Sequence, residues 1–141
     1  MILVVDASVA CKWFVEEDGS QAAEALLDSG STLLAPDLLV PEVCNVACIK
    51  LRRDQVTIEQ AAAMVDDLPG FFDEFVASPG LATRAFAIAN RLAHPAYDCF
   101  YLALAEARNA HFVTADTRFL RRLEGTPWAA LAVELGKAAT K

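Results

Sequence analysis

Short blocks of apolar residues alternate along this chain with longer segments in which apolar residues recur at helical spacing. The first block, residues 2–5, is a continuous apolar run, which is typical of a strand buried on both faces. Similar blocks predict strands at 32–35, 71–76 and 112–113, and residues 129–135 are a candidate fifth strand. Helical spacing predicts helices at about 8–14, 21–28, 38–53, 57–68, 78–92, 97–108 and 116–123. This alternation predicts an α/β fold, with a parallel sheet of four to five strands and helices on both of its faces.

Polar residues at the edges of these segments predict where several helices begin. Ser8 and Ser20 each precede a helical segment and are predicted N-caps. Thr57 and Gln60 have the spacing of a capping box, in which each side chain bonds the backbone N–H of the other residue. The Pro69-Gly70 pair predicts the end of the helix that Thr57 opens.

The composition predicts one folded domain over residues 1–141. Hydrophobic residues make up 55% of the chain and charged residues 22%, which argues against disorder. The longest apolar candidate, 38–49, is interrupted by Pro41, Glu42 and Asn45, so we expect no membrane span. No basic region precedes the first apolar run, so we expect no secretory leader and a cytoplasmic protein.

The four cysteines, Cys11, Cys44, Cys48 and Cys99, lie within apolar helical segments. We interpret them as small buried hydrophobic residues of a protein from a reducing compartment. Cys44 and Cys48 share a helix face, but no further Cys or His pair completes a zinc site.

Charge is distributed unevenly along the chain. The net charge of −7 argues against a nucleic-acid partner, because phosphate binding depends on Lys and Arg. Residues 1–75 hold 14 acids and 4 bases, however, whereas residues 76–141 hold 5 acids and 8 bases. Two basic clusters are Lys50 with Arg52 and Arg53, and Arg118 with Arg121 and Arg122. They are suited either to holding a phosphate backbone or to ending solvated helices, where cations favour the helix dipole.

Four acids each stand at the edge of an apolar element. They are Asp6 after the first strand, Glu42 and Asp98 near the starts of two helices, and Asp116 after the fourth strand. Open parallel sheets bind ligands beyond the carboxyl ends of their strands, so we interpret the four acids as one site. Taken singly, Glu42 is more simply a partner of a helix dipole and Asp116 the N-cap of the helix it precedes.

Four carboxylates at one place need a cation, because like charges raise one another's pKa. No Cys or His joins them, so the ligands are all oxygen atoms, which suits Mg²⁺ or Mn²⁺ and not zinc. Such a site activates water and neutralises a phosphodiester, as in two-metal nucleases. Ser8, Asn45 and Thr114 are candidates for a second layer that bonds the carboxylates or a metal-bound water.

The segments around these acids resemble the motifs of PIN-domain ribonucleases. They are Val-Val-Asp-Ala-Ser at Asp6, Pro-Glu-Val-Cys-Asn-Val at Glu42, Tyr-Asp-Cys-Phe-Tyr-Leu-Ala-Leu-Ala at Asp98 and Val-Thr-Ala-Asp-Thr-Arg-Phe at Asp116. Their order, their spacing and the total length are most similar to the single-domain VapC-type toxins of type II toxin–antitoxin modules. In two places the chain departs from the pattern: His94-Pro95 precede the third acid, and Asp73-Glu74 put charge in the third strand.

This resemblance implies a three-layer α/β/α sandwich and a Mg²⁺-dependent endoribonuclease, with RNA as its substrate and the four acids as catalytic and metal-binding residues. It also implies a homodimer that is neutralised by a cognate antitoxin protein. Aromatic residues such as Trp13-Phe14, Phe100-Tyr101 and Trp128 are core residues, or they furnish a dimer face or a groove for an antitoxin helix. His94 is interpreted as a surface or loop residue, and the alternative is that it reaches the site, because it is close in sequence to Asp98, and contacts RNA.

Two hypotheses from other classes compete with this enzyme. A phosphoacceptor receiver domain also has a parallel sheet and binds Mg²⁺ at an acid cluster, but it requires adjacent acids after the first strand, and here Ala7-Ser8 follow Asp6. The second alternative is a catalytically silent PIN module that serves as a binding scaffold, which has the same metal-binding acids but does not cleave RNA. Cleavage of RNA that stops in EDTA distinguishes the enzyme from the scaffold.

Overall fold

The first strand of the chain is the central strand of the sheet. The structure is a computed structural model that describes residues 1–138, and its five strands are all parallel, in the order β3-β2-β1-β4-β5. The strands are β1 (Ile2–Val5), β2 (Thr32–Pro36), β3 (Glu74–Val76), β4 (His111–Thr114) and β5 (Ala132–Glu134). The predicted α/β fold with a parallel sheet is confirmed, and the fifth strand is present.

Helices cover both faces of this sheet. Among the described residues they are α1 (Ala7–Ala10), α2 (Ser20–Leu27), α3 (Leu39–Arg52), α4 (Ile58–Asp66), α5 (Ala82–Leu92), α6 (Ala96–Arg108) and α7 (Thr117–Leu123). Short 3₁₀ turns lie at Cys11–Trp13, Leu68–Phe71 and Ser78–Gly80. None of the helices within residues 1–138 has both the length and the apolar character that crossing a membrane requires.

The residues of β1 alternate between two cores, because successive side chains of a strand point to opposite faces. Val4 packs into the larger core, which includes buried residues of α3, α4, α5 and α6. Leu3 and Val5 pack into the smaller core, which includes Ala23 and Leu26 of α2. The continuous apolar run at 2–5 therefore reflects burial on both faces, as predicted, and the three layers of an α/β/α sandwich follow.

The strand order reverses between β1 and β4. Val5 at the end of β1 pairs with Val113 near the end of β4, although the two strands are far apart in sequence. Such a reversal opens a crevice at the carboxyl edge of the sheet, where ligands of open α/β folds bind. The order also excludes the receiver-domain hypothesis, because that doubly wound fold has the order 2-1-3-4-5.

The third strand is shorter than predicted. Phe71 belongs to a 3₁₀ turn, and Asp73 accepts the N–H of Leu33 with its carboxylate at 2.8 Å. The ring of Phe71 stacks on Trp13 at a centroid distance of 5.2 Å and meets the ring of Phe14 edge-on at 5.2 Å. The strand therefore begins only at Glu74, although Asp73 is still bonded to β2, and Trp13 and Phe14 pack against the chain's own residues.

The predicted helix caps are correct for α4 and wrong for α2. Thr57 and Gln60 form the predicted capping box of α4. Ser20 is not the N-cap of α2, because its buried hydroxyl donates to the carbonyl of Val15 and accepts the N–H of Glu17. Gly19 takes the cap position with a φ of +89°, a left-handed conformation that favours glycine.

The cysteine prediction is correct for two residues and wrong for the other two. Cys11 and Cys99 are buried, whereas Cys44 and Cys48 are exposed on α3. Helical spacing placed all four in apolar segments, but α3 buries only one face, through residues such as Val43 and Ala47.

Candidate functional site

Asp6 lies where β1 ends and α1 begins. Its Oδ1 accepts the N–H of Val9 at 3.3 Å, so Asp6, and not Ser8 as predicted, is the N-cap of α1. The same oxygen accepts a hydrogen bond from Ser8 Oγ at 2.6 Å, and Oδ2 accepts one from Thr114 Oγ1 at 2.5 Å. The register of β1 and β4 thus brings Thr114 to a carboxylate that is 108 residues away in sequence.

Ser8 and Thr114 are themselves oriented by the backbone that follows β4. Ser8 Oγ accepts the N–H of Ala115 at 3.0 Å, and Thr114 Oγ1 accepts the N–H of Asp116 at 3.0 Å. Because each hydroxyl oxygen receives a backbone proton, each hydroxyl proton is left to point at Asp6. The structure therefore places both residues in direct contact with the first acid.

Burial dominates the electrostatics of Asp6. It raises the pKa of Asp6 from 3.8 to about 6, against the opposing effect of the hydrogen bonds from Ser8, Thr114 and Val9. The negative charge of Asp98 raises this pKa further. A cation near Asp6 would stabilise its charged form.

Glu42 lies in the first turn of α3, opposite α6. Its Oε1 accepts a hydrogen bond of 2.5 Å from Tyr101 Oη. Burial raises the pKa of Glu42, the bond from Tyr101 opposes this, and the charge of Asp98 adds to it. Burial and the charge of Glu42 also raise the pKa of the Tyr101 phenol, so the hydroxyl stays protonated and acts as the donor.

Asp98 lies in the first turn of α6 and is held by a histidine. Its Oδ2 is 2.7 Å from Nε2 of His94, whose ring packs at 4.7 Å from the ring of Phe119. Arg122 supports the turn that carries His94, because its Nη2 donates to the carbonyls of Leu92 and Ala93 at 2.9 and 2.7 Å. His94 is therefore more than a surface residue, and Arg122 of the second basic cluster is used within the fold.

Asp116 follows β4 and is the N-cap of α7. Its Oδ1 accepts the N–H groups of Arg118 and Phe119, each at 3.1 Å. The single-residue explanation of Asp116 as a cap is thus correct, and the residue also lines a cavity beside Ser8. Its carboxylate is bonded to the start of α7, and its own N–H donates to Thr114 Oγ1, the hydroxyl that bonds Asp6.

Asn45 lies one helical turn after Glu42, and both line a shallow pocket with Tyr97. Its side chain is exposed and makes no hydrogen bond with another of the described residues. The structure therefore brings Ser8 and Thr114 to a carboxylate but leaves Asn45 beside one.

Sequence reasoning missed one side chain of this site, Tyr101, whereas the closeness of His94 to Asp98 in sequence already indicated that His94 could reach the site. Tyr101 is on the same face of α6 as Asp98, at the i+3 position, and this spacing was the available signal. Aromatic composition alone suggested that Tyr101 was a core residue. It is buried, but its hydroxyl ends on Glu42.

The donor set fits a hard divalent cation. The four acids supply only oxygen atoms, and burial raises the pKa of the nearby Cys11 thiol to about 12, so no thiolate competes. Over residues 1–138, no group of three or more His, Cys, Asp or Glu side chains has a geometry that could hold a metal ion as it stands. Each acid is bonded instead to a different partner: Asp6 to Ser8 and Thr114, Glu42 to Tyr101, Asp98 to His94 and Asp116 to the start of α7.

Comparisons with known proteins find similar sequences over most of the chain. Residues 3–124 match the PIN domain family. The chain is 31% identical over 124 residues to "Ribonuclease VapC3" of Pyrobaculum aerophilum, covering 86% of this chain and 95% of that protein.

Two solved structures share the fold. The crystal structure of PAE2754 from Pyrobaculum aerophilum superposes with a TM-score of 0.72 at 18% identity, over 99% of this chain and 88% of that one. The crystal structure of VapBC2 from Rickettsia felis, bound to a DNA fragment from the promoter of that pair, gives a TM-score of 0.67 at 16% identity. That match covers 95% of this chain and 98% of the other.

Proposed function

The chain belongs to the PIN-domain family, and from that premise we propose that it is a Mg²⁺-dependent endoribonuclease, the toxin of a toxin–antitoxin pair. The observation that carries the proposal is the group formed by Asp6, Glu42 and Asp98, in which the charge of Asp98 raises the pKa values of the other two. None of the three is ion-paired with a Lys or Arg of residues 1–138. The name of the 31%-identical relative, a ribonuclease, supports the reaction class.

The four acids and their neighbours have separate roles in this proposal. Asp6, Glu42, Asp98 and Asp116 would hold Mg²⁺ or Mn²⁺. When bound, such a cation neutralises the phosphodiester and makes a bound water more acidic. Ser8, Thr114 and Tyr101 would orient the carboxylates by hydrogen bonds, as residues around metal ligands commonly do. Asn45 lines the same pocket as Glu42.

The test is cleavage of a mixed RNA pool by the purified protein. We expect cleavage with Mg²⁺ or Mn²⁺, loss of cleavage in excess EDTA and recovery when Mg²⁺ is restored. Undiminished cleavage in chelator would show that the metal is not required. RNA binding without cleavage under any metal condition would favour the silent scaffold.

We further propose that the protein works in the cytoplasm as a homodimer and is neutralised by an antitoxin protein. The similarity to VapBC2 of Rickettsia felis supports such a partner. Trp13 and Phe14 pack within the chain, so the exposed aromatic residues Phe86 and Tyr97 are the better candidates for contact with another protein. An Arg of the partner that reaches the acids would inhibit by supplying the missing positive charge. Monomeric behaviour at high concentration, together with no co-purifying partner, would contradict this arrangement.

A further inference from the structure

A cavity of about 490 Å³ opens beside the hydroxyl that bonds Asp6. Ser8 and Asp116 line it together with Lys12, Glu17 and Lys50. The three charged residues come from different parts of the chain: Lys12 follows α1, Glu17 lies in the loop before α2, and Lys50 lies in the last turn of α3. The cavity therefore connects the acid site with a group of two lysines.

Glu17 bridges the two ammonium groups. Nζ of Lys12 is 3.3 Å from Glu17 Oε1 and donates to the carbonyl of Asp18 at 2.7 Å. Nζ of Lys50 is 3.6 Å from Glu17 Oε2. The side chains of Lys12 and Lys50 are only 13% and 21% exposed, so both cations are held in the wall of the cavity. Two cations share the single carboxylate of Glu17, and the other acid that lines the cavity, Asp116, bonds the start of α7.

The two lysines lie beside the acid site, because they share this cavity with Ser8 and Asp116. The buried thiol of Cys11 is within electrostatic range of Glu17, Lys50, Lys12 and also Asp6. A strand of nucleic acid that places one phosphate at the acids must place its next phosphates within a few ångströms, and these need cations that the acid site lacks.

We propose that Lys12 and Lys50 form a subsite for a phosphate of the RNA backbone, next to the phosphate that is cleaved, and that Glu17 occupies this subsite in the free protein. The proposal rests on the proposed ribonuclease function. The two oxygen atoms of Glu17 contact the two ammonium groups as two oxygens of a phosphate would, with the same sign of charge. RNA binding must displace Glu17, so Glu17 lowers the affinity of the protein for RNA.

The experiment measures equilibrium binding of a single-stranded RNA over a range of salt concentrations, with every variant in an Asp98→Asn background that prevents cleavage. Lys50→Gln removes one phosphate contact, so we expect weaker binding by about 5-fold and a salt slope smaller by about 0.7. Glu17→Gln frees both lysines, so we expect binding to tighten by about 3- to 10-fold. Lys50→Arg keeps the charge and should retain most of the affinity.

Matched controls come from the ion pair between Arg108 and Glu74, which lies on the outermost strand, β3. Glu74→Gln and Arg108→Gln change the net charge by the same amounts as Glu17→Gln and Lys50→Gln, and they should leave RNA binding unchanged. The proposal is overturned if each control matches its counterpart, if Glu17→Gln does not tighten binding in a folded protein, or if none of the proteins binds RNA. Absence of cleavage by the wild type, with these binding changes intact, would instead contradict only the proposed nuclease reaction.

Discussion

Carboxylates at the two edges of the sheet have opposite surroundings. At the lateral edge, on the outermost strand β3, Glu74 accepts hydrogen bonds of 2.9 and 2.7 Å from the two terminal nitrogens of Arg108. At the edge where the strands end, Asp6 and Glu42 accept hydrogen bonds only from neutral groups, and Asp98 from a histidine.

The difference shows in the acid strengths. The hydrogen bonds from Arg108 hold the pKa of Glu74 below its usual value, whereas burial raises the pKa of Asp6 and Glu42. An acid with its own guanidinium is satisfied within the chain. A partly buried acid that is bonded only by neutral donors has no positively charged partner within the chain. This difference separates acids suited to binding an added cation from acids that stabilise the fold.

The largest expected effect is on catalysis. Asp98→Asn keeps the shape of the side chain and removes one charge, so we expect the rate of RNA cleavage to fall roughly 100-fold or more. Glu74→Gln removes one charge at the other edge and should leave the rate unchanged. Both rates are measured as initial rates of cleavage of one RNA with Mg²⁺. Equal losses of rate in the two variants would contradict the difference between the two groups of acids.

The second prediction concerns the pH dependence of stability without metal. Between about pH 4 and pH 6, the unfolded chain has lost the proton of Asp6 while the folded protein retains it, because the folded pKa is raised from 3.8 to about 6. The stability contributed by the protonated form is therefore complete below about pH 4 and is lost as the pH rises through 6. Asn cannot ionise, so the free energy of unfolding of Asp6→Asn should rise relative to that of the wild type by about 1 to 3 kcal/mol over this pH range.

Urea unfolding at several pH values, in the presence of EDTA, measures this difference. The gain should level off above about pH 7, where Asp6 is ionised in both states. A difference between the two proteins that does not change with pH would show that the surroundings of Asp6 do not disfavour its charge.

The third prediction separates repulsion from metal binding. Without metal, Asp98→Asn relieves repulsion on Asp6 and Glu42 and should stabilise the protein by roughly 0.5 to 2 kcal/mol. Mg²⁺ should stabilise the wild type by mass action and the variant much less, because the variant has lost a ligand. Thermal melts at pH 7 with and without Mg²⁺ test this. Destabilisation of the variant without metal, with an undiminished gain from Mg²⁺, would make Asp98 a structural residue.

The smallest expected effect belongs to Tyr101. Tyr101→Phe removes the donor to Glu42 and leaves the ring in the core, so we expect a loss of stability of about 1 kcal/mol. Cleavage should fall about 10-fold, because a carboxylate without its partner holds a metal less well. A loss of stability with no change in the Mg²⁺ concentration needed for half-maximal cleavage would limit Tyr101 to a role in packing.

Much of this arrangement was readable from the chain alone. The strand at 2–5, the capping box at Thr57 and the position of each acid at the edge of an apolar element are local features. Local features are encoded by periodicity, capping chemistry and β-branched content over a few residues, which the sequence displays directly. The fold class therefore needed no tertiary information, and the proposal of the four acids as one site came from the same local features.

The partners of those acids were decided by the tertiary structure. The bond from Tyr101 to Glu42 joins residues 59 positions apart, and that from Thr114 to Asp6 joins residues 108 positions apart. Both bonds depend on the reversal of strand order at β1 and β4 and on the packing of α6 against the sheet. The order of strands in a sheet cannot be deduced from hydrophobic periodicity. Even the local choice between Asp6 and Ser8 as N-cap was settled this way, since Ser8 is held by Ala115 beyond β4 and Asp6 is left to cap the helix.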